Sequence, residues 1–336
     1  MYKLAIILIL STLCLQAEDN NSTKWLRPLE IPQPLDNELT KERIELGKLL
    51  FFDKRLSGDD SISCATCHHP ERGWTDLVPV SKAVGIHGSI GPRNSPTILN
   101  VAYQNRQFWD GRVRTLEEQA LGPIQAEVEM SIPLNVLILK LNGIKGYVEL
   151  FNQAYPNESL NEITIAKALS SFERTVVSGI APFDKYILGE TNAISQNAKD
   201  GFELFKNKAN CAECHDGFNF SDGSFHNIGL NAGELKGKEL GRYNVKHRAS
   251  WYGVMKTPTL RDITKSYPYF HDGSVQTLQE ATEICAKGGR YSDGVKNKSK
   301  SMKDRKLTKE ELKKIVDFMK TLSSPDMDIM IPTKFP

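Results

Sequence analysis

Cys64-Ala65-Thr66-Cys67-His68 is the stretch whose reading decides this chain, and Cys211-Ala212-Glu213-Cys214-His215 repeats it. Two thiols separated by two residues can each add to one vinyl group of a haem, and the imidazole that follows is then placed under the iron as its proximal ligand. One such motif alone would also suit a redox dithiol or half a zinc site. Here there are two copies, each after an apolar helical segment, and no His-x-x-x-His pair that would complete a zinc site. The motifs therefore point to two c-type haems, attached through Cys64, Cys67, Cys211 and Cys214, with His68 and His215 under the irons.

With 336 residues the chain is long enough for two domains, each able to close over one haem. Hydrophobic residues at 40% and charged residues at 25% give the balance of a soluble globular protein. A formal charge of only +2 argues against nucleic acid as a bulk electrostatic partner. Residues 1–17 read as an export signal, with Lys3, an apolar run from Leu4 to Leu10 and a cleavage pattern at Leu15-Gln16-Ala17. That run is too short to span a bilayer, and no later stretch is long and apolar enough. Export places the expected location in the periplasm, which fits haem attachment outside the cytoplasm. Cys14 leaves with the signal, and Cys285 is the one cysteine left over, so a disulfide framework is not the design.

Thr40 reads as the cap of a helix that buries Ile44, Gly47, Leu50 and Phe51, and Ser195 as the cap of a second that carries Phe202 and Phe205. Each ends just before a haem motif. Downstream, Ser95-Pro96-Thr97-Ile98-Leu99 is echoed by Thr257-Pro258-Thr259-Leu260, and Trp109-Asp110-Gly111-x-Val113-x-Thr115-Leu116 by His271-Asp272-Gly273-x-Val275-x-Thr277-Leu278. So many ordered matches mean a duplicated unit. Amphipathic helices are expected over Thr164–Val177 and over Thr308–Leu322, the latter with a Thr308/Glu311 capping box. The expected class is mainly α: two tandem cytochrome c-like haem domains meeting at an interface. Their bounds are 18–184 and 185–322, with the linker between Ser178 and Ile194 and an irregular tail over 323–336.

These motifs, with GPRNSPT at 91–97, FWDGRVRTLEEQALGPIQAEVEM at 108–130 and PTLRDITKSYPYFHDG at 258–273, resemble the bacterial di-haem cytochrome c peroxidases and their relative MauG, the maturation enzyme of methylamine dehydrogenase. The resemblance runs from about Leu46 to Leu322. It implies a peroxidatic haem in the N-terminal domain and an electron-transfer haem in the C-terminal one. Trp109 matches the family's tryptophan between the haems. Gln119 and Glu129 fall at the intervals of the family's distal pair, where a carboxylate held over an open iron can move a proton between the oxygens of peroxide. Asn94, with the carbonyls of Ser266 and Pro268, matches an interdomain calcium site. A homodimer is common in the family.

Three positions stay open in the sequence. His87 is either a removable sixth ligand of the N-terminal haem or a surface histidine; Gly85-Ile86-His87-Gly88 is closer to MauG-like members, whose peroxidatic site is open at rest. His69 is expected to face solvent. Cys285 stands where the peroxidases have a methionine and MauG a tyrosine as distal ligand of the C-terminal haem, and the competing reading is an unligated buried thiol. Thiolate ligation would lower that haem's potential. Met255 is a weaker substitute ligand. The leading functional expectation is a cytochrome c peroxidase-type oxidoreductase that reduces hydrogen peroxide with electrons from a small c-type cytochrome or similar donor. The alternatives are a MauG-like oxidase that modifies a protein partner, and a plain di-haem electron carrier.

Overall fold

The computed structural model describes residues 23–76, 82–230, 239–291, 295–325 and 329–336, so the expected export segment lies outside the described residues. The helices run in chain order as α1 (Lys41–Phe52), α2 (Cys64–Cys67), α3 (Leu116–Gln125), α4 (Leu134–Asn142), α5 (Lys145–Ala154), α6 (Glu162–Thr175), α7 (Pro182–Ile187), α8 (Gln196–Lys206), α9 (Tyr243–Lys246), α10 (Leu278–Ala286) and α11 (Lys309–Lys320). Two short strands, β1 (Phe225–His226) and β2 (Met255–Lys256), pair antiparallel. The class is mainly α, as the sequence predicts.

Both halves are built around one helix crossing. A Cβ on Gly47 of α1 would lie 1.9 Å from the Ala168 carbonyl oxygen of α6, and one on Gly201 of α8 would lie 1.9 Å from that of Lys314 in α11. Only glycine lets these backbones touch. Around the first crossing Phe51, Trp74 and Phe172 meet edge-on or tilted; around the second, Phe202, Phe205, Phe220 and Phe318 do so. Each such ring, fully buried, contributes roughly 1.5–3 kcal/mol.

The caps at Thr40, Ser195 and Thr308 form as expected, Thr308 with its Glu311 box. α6 begins earlier than Thr164, because the Asn161 side chain accepts from the amides of Ile163 and Thr164 and takes the capping role, and it ends at Thr175 rather than Val177. The linker span is not all irregular: Pro182 opens α7, and Asp184 accepts from the Ala181 amide at 2.8 Å. α7 carries Phe183 into the second core, so a boundary at 184 passes through this helix. Trp25 of the lead-in also belongs to the second core, stacked 4.8 Å from Phe220, while Ile329 and Ile331 of the tail pack on the first. Each half is thus closed by a segment from the far end of the chain.

The duplication is visible in the backbone. Asn100 and Asp262, Phe108 and Phe270, and Gly111 and Gly273 pair at constant spacing, and all six have positive φ. Asn100 Oδ1 accepts from the Ser178 amide at 3.0 Å and Asp262 Oδ1 from the Ser324 amide at 2.9 Å. At the interface the equivalents cross: the Asn94 amide donates to the His271 carbonyl at 2.8 Å, and the Lys256 amide to the Trp109 carbonyl at 2.7 Å. That reciprocity is the mark of a pseudo-two-fold contact.

Candidate functional site

Each haem motif is followed by an aromatic residue in the left-handed region, Trp74 (φ 62°) and Phe220 (φ 47°), which turns its carbonyl back onto the motif histidine. His68 Nδ1 donates to the Trp74 carbonyl at 3.2 Å, and His215 Nδ1 donates to that of Phe220 at 2.8 Å. A carbonyl can only accept, so each Nδ1 carries the proton and each Nε2 keeps a lone pair for a metal. His68 and the Cys64/Cys67 pair line a cavity of about 520 Å³, and His215 with Cys211/Cys214 lines one of about 480 Å³. Cavities of this size suit a cofactor. The residues present fit a covalently held haem in each half.

Trp109 lines both cavities. Its Nε1 donates to the Asn94 carbonyl at 2.9 Å, and its ring stands 6.3 Å from His271 at an interplanar angle of 66°. The two residues hold the same position in their halves, and the interface brings them together. Lys256, Pro258, Ile263, Tyr269 and Phe270 also face both cavities, so the strip between them is one protein layer.

Above the N-terminal motif, α3 contributes Gln119, Ala120 and Pro123 to the cavity lining, and the segment after it contributes Glu129. Thr115 caps α3, with Glu118 closing the box, which fixes the helix start and hence where Gln119 points. Burial raises the Glu129 pKa above the ordinary glutamate value, and the Arg112 charge opposes it. Gly85 packs under this segment: a Cβ there would lie 2.1 Å from the Val128 carbonyl oxygen, and the Ile86 amide donates to the Glu129 carbonyl at 3.0 Å. The loop that holds His87 thus braces Glu129. His87 itself is not brought to the cavity; its side chain is 76% exposed, and Nδ1 lies 3.4 Å from Asp59. His69 also stays out and accepts from the Glu71 amide at 3.3 Å.

In the C-terminal half, α10 has the register of α3 and carries Ala281 where α3 has Gln119, and Cys285 where α3 has Pro123. Cys285 lines the cavity with Met255 and Met302. Burial pushes the Cys285 thiol up to about 12, with the neighbouring Cys214 adding to it, so iron would have to displace a proton to bind the sulfur. His226 pairs with Asp222 at 2.9 Å beside Cys214, and His247 is exposed.

Asn94 and Pro268 meet across the interface: Asn94 Nδ2 donates to the Pro268 carbonyl at 2.7 Å and to that of Phe270 at 3.2 Å. Asn94 Oδ1 is buried without a partner, an oxygen of the kind a hard cation takes. A cation shared with Pro268 requires this amide turned over, since its donor now faces the carbonyl.

Among the buried ionisable groups that sequence reasoning missed, Lys256 and Glu173 line the cavities. Lys256, in the strip between the cavities, is 9% exposed and has its pKa lowered to about 8 by burial; its ammonium donates to Gln104. Glu173 of α6 lines the N-terminal cavity at 6% exposure. Setting α6 against α11 would have exposed it, because the position after the shared phenylalanine is Glu173 in one and Met319 in the other.

Residues 41–192 match the family model for di-haem cytochrome c peroxidase, and residues 198–323 match that for cytochrome c. The methylamine utilization protein MauG of Methylorubrum extorquens is 40% identical over 310 residues, 92% of this chain and 86% of that one. The cytochrome c551 peroxidase of Nitrosomonas europaea is 35% identical over 308 residues, 91% of this chain and 86% of that one. A crystal structure of a MauG-like protein associated with microbial copper homeostasis superposes with a TM-score of 0.81 at 30% identity, covering 90% of this chain and 95% of the other.

Proposed function

The chain belongs to the di-haem cytochrome c peroxidase family that includes MauG, and from that premise we propose that it reduces hydrogen peroxide to water at its N-terminal haem, with electrons entering at the C-terminal one. Family membership implies two covalently bound haems c. The observation that carries the reading is the N-terminal cavity, where Gln119 and Glu129 are brought together beside Pro123, which has no ligand atom, and from which His87 stays out.

When bound, the haems supply the redox chemistry. The chain's own residues do the rest. His68 and His215, each oriented through its Nδ1 hydrogen bond, would ligate the irons. Gln119 has a donor and an acceptor with which to orient peroxide, but it does not titrate. Glu129, whose burial raises its pKa above the ordinary glutamate value, takes the proton from one peroxide oxygen and returns it to the other as the O–O bond breaks. Trp109 shortens the electron's path through the layer between the cavities. Its hydrogen bond to Asn94 fixes the ring. His87 lies outside the cavity and would not ligate the N-terminal iron. With the Asn94 amide turned over, its Oδ1 and the Ser266 and Pro268 carbonyls would hold a calcium ion between the two halves. The protein is exported to the periplasm, takes electrons from a small c-type cytochrome or similar donor, and acts as a homodimer.

A second reading is favoured by Cys285. If its sulfur ligates the C-terminal iron, the lowered potential makes that haem a poor acceptor from ordinary cytochromes and a better store of oxidising equivalents. The enzyme would then oxidise a protein partner, as a MauG-like oxidase. Steady-state peroxide consumption with reduced cytochrome c distinguishes the two. Sustained turnover supports the peroxidase; negligible turnover beside a stable two-electron-oxidised protein supports the oxidase.

A further inference from the structure

α6 and α11 are equivalent helices, and from the same position each turns one side chain into its own cavity: Met319 in the C-terminal half, Glu173 in the N-terminal half. One thioether and one carboxyl thus occupy matching walls. Glu173 is 6% exposed and its Oε2 has no hydrogen-bond partner. An ionised carboxylate so placed costs several kcal/mol of desolvation, so the neutral acid is what the fold favours. Burial pushes its pKa up to about 8.

The charges around it are few. Arg174, next on α6, holds Glu117 of α3 at 2.7 Å and 3.0 Å; the first lowers the Glu173 pKa and the second raises it. α2 brings Cys64, whose sulfur becomes a thioether once haem is attached. α1 faces α6 with Leu46, Gly47, Leu50 and Phe51, none of which titrates. In the turn over 101–103, Tyr103 directs its hydroxyl to the Glu30 carbonyl at 3.4 Å. Among the described residues the other carboxyls of the cavity lining are Glu129 and Asp110, and Asp110 is committed to Arg93 and Arg112.

We propose that Glu173 holds the proton that resupplies the N-terminal cavity during peroxide reduction. Turning one hydrogen peroxide into two waters breaks one O–O bond, forms two O–H bonds and consumes two electrons and two protons. The electrons come from the donor. Glu129 moves a proton from one oxygen to the other, which adds none. Both consumed protons must therefore enter the cavity, and Glu173, neutral at pH 7, releases one and is reprotonated from solvent. Its twin Met319 lines a cavity through which only electrons pass. Glu173 acts through the cavity and does not touch peroxide, so it is a positioning residue.

The inference rests on the peroxide-reducing reading, but its first test needs no peroxide, so the two can fail separately. Proton uptake on reduction of the holoprotein is followed with a pH-indicator dye in weak buffer between about pH 7 and 9. Wild type takes up protons in this range; Glu173→Gln and Glu173→Met lose that uptake while keeping both covalent haems, and Glu173→Asp keeps it. In turnover, Glu173→Gln lowers kcat about tenfold or more with KM for peroxide within about threefold, and the alkaline limb of the pH profile disappears. Unchanged uptake and an unchanged limb in Glu173→Gln overturn the proposal. So does loss of haem from all three variants, which assigns Glu173 to haem retention.

Discussion

Pro123 in α3 and Cys285 in α10 hold the same position in helices of the same register, and so do Gln119 and Ala281, and Glu173 and Met319. The N-terminal cavity is lined by Asp110, Glu129 and Glu173, whereas no aspartate or glutamate is among the described residues lining the C-terminal one. That cavity presents Cys285, Met255, Met302 and Met319 instead. Protons need acids and an open face; electrons need polarisable, dry surroundings. A duplicated scaffold can serve both because the crossing of α1 on α6, like that of α8 on α11, fixes the backbone and leaves the cavity walls free to diverge.

The largest expected effect comes from removing the acid. Glu129→Gln lowers peroxide turnover by roughly 10²–10⁴-fold with both haems retained, whereas Tyr291→Phe at the equivalent place in the C-terminal half changes it little. Steady-state kinetics beside a haem assay checks this, and equal losses would dissolve the division of labour. The second is an exchange of faces. Pro123→Met puts a ligand atom where the N-terminal half has none and should cut turnover about tenfold or more. Cys285→Ala should remove a thiolate low-spin signal from the electron paramagnetic resonance spectrum and leave the N-terminal haem's signal in place; a spectrum identical to wild type would show the sulfur is no ligand.

A third concerns stability. The folded pKa of Glu173 is raised from 4.5 to about 8, so its contribution is whole below pH 4.5, declines as the pH rises through that window and is gone above about 8. The loss is about 5 kcal/mol. Denaturant midpoints between pH 4.5 and 8.5 should therefore fall more steeply in wild type than in Glu173→Met, and parallel curves would show that the carboxyl is not buried. The smallest effect tests the symmetry itself. Gly47→Ala and Gly201→Ala should each destabilise by about 1–3 kcal/mol through the same backbone contact, and a large inequality in their denaturant midpoints would mean that the crossings are not equivalent.

Much of this was legible early. The paired Cys-x-x-Cys-His motifs, the caps at Thr40, Ser195 and Thr308, and the Trp109/His271 correspondence are local patterns whose physics acts within a few residues. Glu173 was not legible, because a glutamate in a helix is normally solvated and only the packing of α6 on α1 and α3 removes it from water. Nor was Lys256, whose burial depends on the meeting of both halves. The swapped closures by Trp25 and by Ile329 with Ile331 join residues too far apart in the chain for any local pattern to announce.

The sequence by itself determined the two haem attachment points, the duplication and the mainly α class, because covalent chemistry and helical periodicity are written in neighbouring residues. The tertiary structure alone decided that Trp109 and His271 meet, that His87 stays outside the cavity, and that one cavity is lined by Glu173 where the other is lined by Met319. Burial and long-range contact set those outcomes, and neither exists until the chain has folded.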